Sequence, residues 1–173
     1  MYTQKKTNLF ENSIFNASIV DESFFLLEVK EDTEVGLESA IEYMAFNECL
    51  AKICEGGIPV LTHSKGLISL NKDARRYIHG FKNSTAYLAN AIVVERLASR
   101  AMMQFIMKLI PSTKFPELVF DSISNASFWL GQEMNKNAWK LPSITTEDLS
   151  DQLEGAIQAF INREKMAMGL SSS

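Results

Sequence analysis

The sequence predicts an α/β fold: a mixed, mostly parallel sheet that opens with an antiparallel hairpin, helices packed on it, and an appended C-terminal amphipathic helix. Three observations predict it. Strand-length apolar runs alternate with helix-period runs in the order β-β-α-β-α-β-α-β-α, the pattern of crossover units. The first two runs are separated only by Asp21-Glu22-Ser23, a hairpin-length link. Near the end, Leu149, Leu153, Ala156, Ile157, Phe160 and Ile161 recur at helical spacing, with Glu154, Gln158, Asn162 and Lys165 opposite.

Composition sets the frame for these elements. The chain has 173 residues, 46% hydrophobic and 22% charged, which is ordinary for one globular domain. A chain of this length buries roughly 70% of its unfolded surface, so neither disulfide nor metal staple is needed. The net charge of −4 argues against nucleic acid as a partner, because phosphate binding needs clustered Lys and Arg. No run approaches the length of a membrane span, and Met1 to Asn8 lacks the apolar core of a signal peptide. A cytoplasmic protein is expected.

In chain order, residues 13–20 and 24–29 form the expected hairpin. The polar link Glu31 to Glu34 breaks the pattern, and Leu37 to Glu55 continues as a helix with Leu37, Ala40, Ile41 and Met44 on one stripe. Gly56-Gly57 is expected to end it through a left-handed cap. Cys49 and Cys54 sit five apart in this helix, face apart, and are expected to remain buried free thiols. Ile58 to Thr62 is the next strand, and Gly66 to Leu70 a connector. Asn71 is the expected N-cap of a short helix in which Asp73 complements the helix dipole and Ala74, Tyr77 and Ile78 face inward. Gly80 closes that helix.

Ala89 to Val94 is a further strand. Leu97 to Ile110 is a helical run whose apolar face covers more than half the wheel, wider than one sheet contact requires. Pro111 stops it, Phe115 to Phe120 returns as a strand, and Asp121 is expected to cap a helix from Ile123 to about Glu133 that presents Ala126, Trp129 and Leu130. The expected organisation is therefore a domain over residues 1–134, a linker over 135–145 marked by Asn137, Pro142 and Ser143, and a helix over 146–170 that lies on the domain or on a partner subunit.

Several of these segments resemble a known family. Val60-Leu61 entering the loop, Asp73-Ala-Arg-Arg-Tyr-Ile78, Ala91 to Val94, Ser99-Arg100, Phe115-Pro116, Val119-Phe120-Asp121, Ala126 and Trp129-Leu130 together are similar to STAS-like, anti-sigma-factor-antagonist-like small bacterial proteins of unknown function. The resemblance covers about residues 13–133 and implies that fold. It also implies a comparison: antagonists of the family carry Asp-Ser-Ser-Gly at the start of the helix after the second crossover strand, and the second serine is phosphorylated. Here those positions are Asn71, Lys72, Asp73 and Ala74. No hydroxyl is present, so no phospho-switch is expected.

Chemistry-bearing patterns are sparse. A His63–Ser64 pair would place its side chains on opposite sides of a strand, and spacing suggests no acid to orient the histidine. No zinc, calcium or dinucleotide spacing occurs, so neither metal nor cofactor is expected. No acid, base and nucleophile come together in the pattern, and a non-enzymatic protein is expected. Lys72, Asp73, Arg75, Arg76 and His79 make a charged corner suited to an anionic ligand or an acidic partner surface. Met102, Phe105, Ile106 and Leu109, with Leu149, Leu153 and Phe160 of the last helix, are the candidate self-association surface, and a homodimer is expected. The expected function is an interaction or regulatory module. The alternative is a carrier of a small apolar, lipid-like ligand, as in CRAL-TRIO-type domains, which would need a closed pocket lined by Phe and Met.

Overall fold

The computed structural model of the chain describes residues 5–31, 33–65, 68–81, 84–96 and 114–170. Its centre is β5 (Ile58–Ser64), in which every residue is buried. A strand covered on both faces cannot alternate apolar with polar side chains, which is why Ile58 to Leu61 is a continuous apolar run. On one side β5 pairs in parallel with β3 (Phe24–Val29), which pairs antiparallel with β2 (Phe15–Val20). On the other it pairs in parallel with β7 (Tyr87–Val94), which pairs in parallel with β8 (Glu117–Phe120). An edge strand, β1 (Lys6–Glu11), completes the six-stranded order β1-β2-β3-β5-β7-β8.

The β2–β3 hairpin turns through Asp21 and Glu22, which have φ of 49° and 53°, and Ser23 N donates to Val20 O at 2.9 Å. Positive φ at both central positions matches the twist of the flanking strands. Two short strands not expected from sequence, β4 (Thr33–Val35) and β6 (Ile68–Leu70), form a separate parallel pair. β4 lies in the segment expected to be an interruption, and β6 in the expected connector.

Helices cover both sheet faces. α1 (Leu37–Ile53) and α4 (Thr146–Ala167) share a core with Phe15, Ala17, Ile19, Phe25, Leu27, Ile58 and Val60. On the opposite face, α3 (Ile123–Lys136) contributes Ala126 and Leu130 to a core with Leu26, Leu61, Ala91 and Val93. α2 (Lys72–Gly80) packs Ala74, Tyr77 and Ile78 near Val35 and Ala40. The hairpin, crossover, strand-loop-helix and strand-helix that the STAS resemblance implied are all present.

Two local expectations are corrected. The left-handed residue after α1 is Glu55, with φ 55°, not a glycine. Gly57 serves another purpose: a Cβ there would lie 2.8 Å from the Leu88 N and 2.9 Å from the Tyr87 carbonyl carbon, so its absence lets the chain pass β7. The cap of α3 is Ser122, whose side chain accepts from Asn125 N, while Asp121 Oδ1 accepts from the Asn125 side-chain amide at 3.1 Å. The expected helix Leu97 to Ile110 lies outside the described residues.

Candidate functional site

Asn71 caps α2 as its sequence suggested, its Oδ1 accepting from Ala74 N at 2.8 Å. The cap fixes the first turn, and the apolar seam fixes the rotation of the helix. With Ala74 buried and Tyr77 and Ile78 half-buried, Lys72, Asp73, Arg75, Arg76 and His79 all project into solvent. None of the five enters an ion pair within the described residues. The structure therefore brings the predicted charged corner together on one short helix. The second side of α2 faces the last helix: Tyr77 Oη donates to Glu164 Oε2 at 3.0 Å, and the Phe81 and Phe160 rings lie 6.5 Å apart.

The candidate self-association surface fares differently. Leu149, Leu153 and Phe160 are buried in this chain's own core, beside Phe46 and Leu50 of α1. Ser150 Oγ also donates to Leu9 O at 2.8 Å, fixing α4 against β1. These three positions are thus corrected from an outward surface to an internal one. Met102, Phe105, Ile106 and Leu109 lie outside the described residues.

The C-terminal ends of the parallel strands hold a polar cluster that spacing did not disclose. His63, 2% exposed, places Nε2 2.9 Å from Glu95 Oε1, so an acidic partner for the histidine exists. Ser64 follows on the other face of the strand. On the α1 side of the sheet a second polar group runs across three strands. Thr62 Oγ1 donates to Asn90 Oδ1 at 3.4 Å, and Asn90 Nδ2 donates to Glu117 Oε2 at 3.3 Å. The Tyr43 hydroxyl lies beside Thr62 and Tyr87. Burial pushes the Glu117 carboxyl above its usual value, against the opposing pull of the Asn90 hydrogen bond. Burial likewise raises both tyrosines. Strand register assembles residues 62, 87, 90 and 117, and α1 brings Tyr43 to them, so no sequence motif marks the group.

The thiols offer no reactive nucleophile. Cys49 and Cys54 are free, and burial pushes Cys54 up to about 11 and raises Cys49 as well. Among the described residues no group of three His, Cys, Asp or Glu side chains could hold a metal ion. The larger depression, about 770 Å³, opens between the hairpin turn and residues 139–146, with Glu22, Ser23, Met134, Trp139 and Lys140 among its lining. It is an open groove of mixed polar and apolar lining and not the closed Phe- and Met-lined cavity that an apolar carrier requires. No helix among the described residues is long and apolar enough to cross a membrane.

No curated protein matches the chain. The fold is similar to the crystal structure of an uncharacterized protein from the DUF3478 family with a SpoIIAA-like fold, from Shewanella loihica PV-4. The identity is 12%, the TM-score 0.48, and the match covers 75% of this chain and 98% of that one. Nothing among these relatives indicates catalysis. Residues 19–134 match the family described as Domain of unknown function (DUF7793), and the chain belongs to that family.

Proposed function

We propose that this protein is a non-enzymatic interaction module that docks an acidic face of a partner protein through α2. The observation that carries the reading is the division of that helix. Ala74, Tyr77 and Ile78 lock one side onto the chain, while Lys72, Arg75, Arg76 and His79 stand exposed and without ion pairs among the described residues. Cations left unpaired in a chain of net charge −4 are available to an external anion. Asp73 occupies the place where the resemblance would put a phosphorylated serine, so docking through this helix is constitutive.

The test is the double charge reversal Arg75→Glu with Arg76→Glu. Both residues are exposed, so the melting temperature should be unchanged. A partner cross-linked to α2 in cells should be lost from the variant, and its affinity for the native chain should fall as salt rises. Cross-links that persist unchanged in the variant would sink the reading. Self-association is a second reading, favoured by Phe128 and Leu118, which are 70% and 48% exposed on α3 and β8.

A further inference from the structure

A second, smaller cavity of about 280 Å³ lies at the C-terminal end of β3 and β5, lined in part by Asn16, Glu28, Lys30, Glu31, His63 and Lys65. Register places Asn16 beside Glu28 and Glu28 beside His63, so three polar side chains share one face on adjacent strands. The Glu95 carboxylate can only accept, so the His63 Nε2 that meets it carries the hydrogen. When the ring carries no charge, Nδ1 is then a lone pair. That Nδ1 is buried and has no partner among the described residues, and neither has the buried Oδ1 of Asn16. Buried acceptors left unmet are costly, and two on residues that line one cavity point to a donor that comes from outside the chain.

The charges narrow the donor. Glu28 is paired with Lys6, and Lys30 is held by Glu11 at 3.0 Å and by Asn12 O at 2.7 Å. Glu31 and Lys65 remain exposed and enter no ion pair among the described residues. Among the described residues the cavity thus offers two unmet acceptors, one free anion and one free cation. A metal ion could satisfy the acceptors, but no three His, Cys, Asp or Glu side chains among the described residues stand together to hold one. A simple amine would leave Lys65 unused, and a simple carboxylate would leave the acceptors unmet.

We propose that this cavity binds a small zwitterion of the free amino-acid type. Its ammonium group donates to Asn16 Oδ1 and His63 Nδ1 with Glu31 as counter-charge, and its carboxylate is met by Lys65. The volume lies just under the usual range for ligand pockets, which suits a ligand smaller than a drug.

The site is separate from α2, so the two proposals fail separately: Arg75→Glu with Arg76→Glu must leave this binding unchanged. The full chain is titrated with a panel of free L-amino acids, and with methylamine and acetate as half-ligands, by calorimetry and nitrogen NMR. At least one amino acid should saturate, and each half-ligand should bind about tenfold or more weakly. The His63 Nδ1 resonance should shift as its lone pair accepts a hydrogen bond. Lys65→Ala and Glu31→Gln, both at exposed positions, should each cost about tenfold in affinity without altering the fold. The proposal is overturned if no amino acid saturates up to about 10 mM, or if binding survives intact in Lys65→Ala. An unmoved His63 Nδ1 resonance at saturation, or zinc binding in place of the amino acids, would overturn it equally.

Discussion

The Tyr77 hydroxyl donates to Glu164 Oε2 at 3.0 Å, joining the charged helix α2 to the last helix of the chain. Burial first, and then the hydrogen bond and charge of Glu164, raise the Tyr77 hydroxyl above its usual value, so it stays a donor at physiological pH. The bond holds α2 from the side that α1 does not cover. Tyr77→Phe keeps the ring and removes only the donor. It should cost about 1 kcal/mol of stability and speed amide exchange in α2 specifically. Equal acceleration across all helices would show instead that the bond has no local role.

Gly57 and Gly56 make a paired test of the close approach to β7. Alanine at Gly57 would bring its Cβ to 2.8 Å from the Leu88 N, whereas nothing lies within 4 Å of the corresponding point at Gly56. Gly57→Ala should destabilise by about 1–3 kcal/mol, and Gly56→Ala should be near neutral. Denaturant unfolding of both variants checks the contrast, and similar midpoints would refute it.

The raised carboxyl of Glu117 makes stability depend on pH in a definite direction. Its folded-state value lies above the usual 4.5, so the folded chain binds this proton more tightly than the unfolded one. That contribution is complete below the unfolded value and is lost as pH rises through the folded value. At pH 7 the buried carboxylate is therefore a cost. Glu117→Gln should be more stable than the native chain at neutral pH, and the advantage should shrink toward pH 4.5. Urea titrations at the two pH values decide it, since an equal gain at both would exclude ionisation as the cause.

Leu153 is fully buried between α4 and the sheet-side core. Leu153→Ala should cost about 2–5 kcal/mol, the range for a deeply buried leucine. Removing residues 140–173 should be worse, because it uncovers the core that Leu149, Ile157 and Phe160 also close. Soluble, cooperatively folding truncated protein would contradict this packing.

The legible part of the molecule was the part built on strong local patterns. The continuous apolar run of β5, the Asn71 cap, the hairpin link and the stripe of α4 each announce themselves within a few residues. β1 did not, because an exposed edge strand with only Leu9 and Phe10 apolar lacks the alternation of a half-buried one. β4 and β6 are three residues each, too short for any period. Whether the α4 stripe met its own chain or another is a matter of docking, and amphipathicity alone carries no address. Of the candidate sites, the α2 corner was visible because its charges are neighbours in sequence. His63 with Glu95, and Asn16 with Glu28, are neighbours only through strand register.

Ser150 and Leu9 touch although 141 residues separate them. A ribosome therefore releases the first strands long before it makes the helix that seals them. For that interval the apolar faces of Phe15, Phe25 and Phe46 wait uncovered on a nascent chain. Emergence of α4 from the ribosome, more than any step within the sheet, is the moment at which this core can close.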